Sequence, residues 1–147
     1  SAVSRGLGDV YKRQDFARIQ ACLKNISEEQ TKKNVEAEAA AVMQFLIALT
    51  EAAHNVVLLH IVRSLAPLLE QNVLQNLKLL HRRDEVVEKV SKHRANIVDA
   101  IVSGQPEKAR EMSHSHLAYI EETLLDLSRE ESRRERSLRR IQQGNDS

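Results

Sequence analysis

An all-α fold, an antiparallel helical bundle, is what this sequence predicts, and three observations carry the expectation. From residue 15 onward, apolar residues recur at spacings of three and four, the period of one helix face. Four glycines and two prolines in 147 residues are too few to punctuate an all-β chain, which needs a turn every ~8–12 positions. The polar breaks that do occur are short, as between antiparallel neighbours of a bundle. With 41% apolar and 29% charged residues, the chain can bury a core and still present a solvated surface.

Taken in order, the first helix carries Phe16, Ile19, Leu23 and Ile26 on one face. Lys32-Lys33-Asn34 interrupts it, and Asn34 suits the N-cap of a second helix starting near Glu36, because its side-chain oxygen can accept a first-turn amide. That helix, EAEAAAVMQFLIALTEAA, is built of strong helix formers and ends at His54-Asn55. A third helix spans about Val56 to Leu80, with Val62, Leu65, Leu69 and Leu80 as its stripe and a kink expected at Pro67. After the polar His81-Arg82-Arg83-Asp84, a fourth helix sets Val86, Val90, Ile97 and Ile101 on one face. Ser103-Gly104-Gln105-Pro106 is the clearest turn, with Gly suited to a helix C′ position and Pro106 to the first turn of the next helix. The last helix carries Ala109, Met112, Ile120, Leu124 and Leu127, with Tyr119 at the edge of the stripe. Residues 129–147 mix signs densely and read as an exposed helical extension or tail.

Composition excludes several functions. No apolar run reaches the ~18 residues of a membrane helix. A formal charge of +1 is poor footing for a nucleic-acid surface. The single Cys22 excludes an internal disulfide and reads as a small buried hydrophobe. GxSxG, HExxH, CxxC and a phosphate-cradling glycine loop are all missing. Glu111 and His114 make one Glu-x-x-His spacing, but His114 lies off the apolar stripe. The chain is therefore expected not to be an enzyme.

Six histidines are present, and two stand out by phase. His93 falls in the series Val86, Val90, His93, Ile97, and His116 in the series Met112, His116, Ile120, Leu124. His54 and His81 sit at helix ends. Asn72 and Asn76 continue the third helix's stripe and are expected to turn amides inward. A buried imidazole needs partners for its polar atoms. Two core histidines bonded to carbonyls or hydroxyls meet that need, and so does an internal polar pocket formed by His93, His116, Asn72 and Asn76 around a small anion or a metal.

The segments EAAHNVVLLH (51–60), APLLEQNVLQN (66–76), SKHRANIVDAIVSGQPEKARE (91–111) and SHSHLAYIEETLLDLSREESRRERSLRR (113–140) add a resemblance. From about Asp15 to the end, the chain resembles the C-terminal half of GntR-family transcription regulators, in the FadR-type branch. The resemblance implies an all-helical domain that binds a small metabolite and forms a homodimer in the cytoplasm. In the subgroup most resembled, pyruvate relieves repression of genes for the pyruvate dehydrogenase complex and respiration. Operator DNA is met there by an N-terminal winged helix. The family's metal site takes an Asp, a His one turn later, and two later His. The later pair matches His93 and His116, whereas Val42 and Leu46 stand at the first two positions. Two imidazoles are a thin set for Zn²⁺, which takes three or four protein ligands. The expectation is direct hydrogen bonding from His93 and His116 to pyruvate or a similar small carboxylate. The alternatives are a metal-dependent sensor of another acid such as lactate, with a weak divalent ion such as Zn²⁺, and a plain helical interaction module.

The opening SRGLGDVYKRQ matches neither the period nor the resemblance. DVYKRQ back-translates to GATGTGTATAAGAGACAG, which is similar to a transposase sequencing adapter. Residues 1–14 are accordingly expected to be a non-native adapter-derived segment, residues 15–128 a partial effector and dimerisation domain missing its first helix, and 129–147 the charged extension.

Overall fold

The computed structural model describes the backbone of residues 2–145 and the side chains of residues 12–145. Among the described residues there are five helices and no strand: α1 (Ala2–Thr31), α2 (Val35–Ala52), α3 (Val56–Leu80), α4 (Asp84–Val102) and α5 (Pro106–Asn145). The opening segment is thus described only as helical backbone from Ala2, with its side chains before Lys12 outside the described residues. The last two residues of the extension lie outside them as well.

All the breaks but that between α3 and α4 fall where short polar side chains or left-handed backbone end one helix and start another. Asn34 accepts the Ala37 amide at 3.1 Å, and Asn55 accepts that of Leu58 at 3.0 Å. Each satisfies an amide that the first turn leaves without an intrahelical partner. Lys33, His54 and Gly104 follow α1, α2 and α4 with φ of 57°, 53° and 69°, the left-handed conformation that turns the chain back. Pro106 opens α5, where its missing amide costs nothing.

α1 packs along α2, α2 along α3, and α4 and α5 form a hairpin; α4 also meets α1, and α5 meets α3. One core joins Ile19 and Ile26 of α1 with Val42, Phe45 and Ala48 of α2 and Val98 of α4. A second joins Leu80 of α3 with Val86 and Val90 of α4 and Leu127 of α5. α4 contributes to both, and so does α3, with Val73 against the first core and Leu80 in the second, so these two helices tie the halves together. Cys22 is half-buried against the first core.

α3 departs from the expected stripe. Leu77 and Leu80 are buried, but Leu65 is 44% exposed, and Val56, Val57, Leu58, Ile61 and Leu68 are exposed as well. The helix is apolar on more than one side, so an apolar stripe read from spacing alone did not single out the packed one. Pro67 lies mid-helix on an exposed position, and α3 runs unbroken through it. α5 continues past the bundle: Arg82 and Arg83 pair with Glu131 and Glu130, and every described residue after Glu131 is exposed.

Candidate effector-binding site

His93 projects from α4 and His116 from α5, and the hairpin brings them together. Their ring centroids are 5.6 Å apart and their planes cross at 84°. The ring of Tyr119, one turn beyond His116, meets His93 edge-on at 5.3 Å, and the Lys89 ammonium sits 4.5 Å over the same tyrosine. This stacked set fixes the imidazole planes through edge-to-face and cation–π contacts. Both Nδ1 atoms are buried and have no hydrogen-bond partner among the described residues. Leaving a buried polar atom unpaired costs about 1–3 kcal/mol, so two together mark a place where a partner is wanted.

The histidines line a cavity of about 360 Å³ with Asn96, Lys108, Glu111, Met112 and Ser115. Burial, then the charge of Arg94, then His93 hold the His116 pKa down to about 4. Its imidazole is therefore neutral near pH 7, with one N–H to donate and one nitrogen to accept. Lys108 is the cation on the cavity wall.

The expected amides do not join this site. Asn72 is exposed and Asn76 half-buried; Asn76 Nδ2 donates to Asn72 Oδ1 at 3.2 Å, and neither lines the cavity of His93 and His116. Two amides one turn apart on the less-packed side of α3 satisfy each other. Outside this cavity the structure buries two charged groups that sequence reasoning missed. Glu38 is 1% exposed and receives a 2.7 Å hydrogen bond from His81 Nε2 at the end of α3. Arg94 is 8% exposed, its pKa pushed down by burial and pulled back up by Glu38. Both sit on the same phase as core residues. Glu38 precedes Val42 and Phe45 by four and seven, and Arg94 follows Val90 by four and precedes Ile97 and Val98.

With the site described, likeness to known proteins becomes informative. The sequence matches the FCD domain over residues 9–119. The chain belongs to the FCD domain family. Among curated proteins, it is 25% identical over 125 residues to the "Putative L-lactate dehydrogenase operon regulatory protein" of Escherichia coli K12, covering 85% of this chain and 47% of that protein. The same figures hold for the protein of that name from Shigella flexneri. It is also 25% identical over 119 residues to the Glc operon transcriptional activator of E. coli K12, covering 79% of this chain and 47% of that one. The chain thus spans about half the length of the curated relatives it matches. Those relatives are named as operon regulators and not as enzymes.

A metal does not fit this FCD domain's residues. Among the described residues no group of three or more His, Cys, Asp or Glu is placed to hold an ion. Val42 is packed in the first core, and Leu46 is 37% exposed. Neither lines the cavity of His93 and His116. Two imidazoles without a carboxylate fall short of a Zn²⁺ set.

Proposed function

We propose that this FCD domain is the effector-sensing and dimerisation part of a GntR-type transcriptional repressor. In this reading it resembles the pyruvate dehydrogenase complex repressor and takes pyruvate, or a similar small carboxylate, between α4 and α5. The observation that carries the reading is the facing pair His93 and His116, with two buried, unpaired nitrogens beside a cavity of about 360 Å³. A keto acid presents only acceptors, to which each of the two imidazoles can donate an N–H while Lys108 attracts the carboxylate. Ligand bridging the two helices favours the hairpin arrangement that holds both rings. A ligand shifts a conformational equilibrium only by binding one state better, and this bridge supplies that difference. Contact with operator DNA then belongs to a winged-helix domain of the intact regulator, not to these helices.

Lactate is the second reading, favoured by the relative named for an L-lactate dehydrogenase operon. Its hydroxyl would donate to an imidazole nitrogen where the keto oxygen of pyruvate accepts. A thermal melt of the chain with pyruvate, with L-lactate and with Zn²⁺ tests both. Pyruvate alone should raise the midpoint, since a ligand bound only to the folded state stabilises it. His93→Leu with His116→Leu should abolish that rise with stability kept or increased. Loss of stability of about 1–3 kcal/mol per ring, with no ligand response in the parent, would instead mark the rings as structural.

A further inference from the structure

Arg94 is the one buried cation among the described residues, and it carries no hydrogen bond or ion pair to another of them. Glu38 is the carboxylate that attracts it, but Glu38 is engaged by His81. A guanidinium carries five N–H donors in a planar fork and stays charged in proteins. Only 8% exposed and with no hydrogen-bond acceptor among the described residues, Arg94 leaves its donors free for an acceptor from outside the fold.

The same side chain lines a cavity of about 330 Å³ in the groove between α1 and α4. Gln20, Lys24 and Ser27 of α1 line the facing wall with further donors, Lys24 adding a second positive charge. Among the described residues no carboxylate lines this cavity, and Leu23 and Ala95 make part of it apolar. His93 and Arg94 are consecutive on α4, so a helix turns them to different flanks, one toward α5 and the other toward α1.

We propose that the α1–α4 cavity is a second ligand site, which binds a short-chain carboxylate with Arg94 as its anchor. The planar fork of Arg94 takes both carboxylate oxygens, Lys24 adds long-range attraction, and Leu23 and Ala95 take the carbon chain. This site is separate from the imidazole cavity and stands whether or not that cavity binds pyruvate.

Calorimetric titration of the full chain with propionate, pyruvate and inorganic phosphate, in buffer free of other carboxylates, tests it. The parent should bind propionate saturably. With the imidazole site removed by His93→Leu and His116→Leu, adding Arg94→Met should abolish that binding and adding Arg94→Lys weaken it at least about tenfold, since an ammonium cannot replace a bidentate fork. His93→Leu with His116→Leu should leave propionate binding intact, so failure of the imidazole reading does not imitate failure here. In the parent, the Arg94 Nε–Hε resonance should move with saturation. This signal and Arg94→Lys decide the matter if Arg94→Met fails to fold. The proposal is overturned by a parent that binds no propionate, by Arg94→Met leaving binding undiminished once the imidazoles are removed, or by loss of binding on removing the imidazoles. Binding of phosphate alone overturns the carboxylate assignment.

Discussion

Protonation of His116 couples this site to pH. Its folded pKa of about 4 lies below the ordinary 6.5, so between those values the unfolded chain binds the proton more readily. Stability on its account is present above pH 6.5 and is lost as pH falls toward 4. Urea midpoints taken from pH 7 to 4 should fall less steeply in His116→Leu than in the parent. Glu38 is the other residue whose loss is felt widely, because its carboxylate serves both His81 and Arg94. Glu38→Leu should cost about 3 kcal/mol in urea unfolding by leaving buried positive charge uncompensated, and Glu38→Gln less. At this scale the sequence was half legible. Phase picked out His93 and His116 because imidazoles on an apolar stripe stand out. The same phase held Glu38 and Arg94, but a charged residue among glutamates or lysines reads as surface until a partner across the bundle is seen. Asn72 and Asn76 misled for the converse reason, since they followed a stripe of α3 that the bundle does not cover.

Helix ends were legible because their chemistry is local. Asn34 and Gly104 mark boundaries through backbone geometry and a local hydrogen bond, and Pro106 through its fixed φ and missing amide, with no need of tertiary partners. Asn55→Ala should therefore lower stability by about 1 kcal/mol, read from a thermal melt, as the Leu58 amide loses its acceptor. Lys33 holds a left-handed φ of 57° at an exposed position, where a side chain is a steric cost. Lys33→Gly should raise stability by up to about 1 kcal/mol, the gain being partly offset by glycine's freedom when unfolded. Which face of α3 packs was not legible, because packing is decided by α2 and α5, and α3 offers them apolar residues on more than one side.

The whole molecule is two helical groups joined through α3 and α4, with an apolar face of α3 left in water. Val57, Ile61 and Leu68 are 71%, 48% and 68% exposed, an apolar surface of the kind that marks protein–protein contact. The proposed homodimer places a second copy there. Sedimentation should find the chain dimeric and the variant carrying Ile61→Glu and Leu68→Glu monomeric; an unchanged dimer would move the interface elsewhere. α5 leads out of this body. Beyond Glu131 every described residue is exposed, and amide exchange there should be far faster than around Leu127. His116 lies near the start of that same helix, and Asn145 is 29 residues farther on, about 43 Å along the axis. The helix is thus a pointer pivoted close to the imidazole cavity. Rocking it by about 5° at His116 sweeps its far end through about 4 Å, so a change too small to see at the rings becomes a displacement the size of a side chain at the tip.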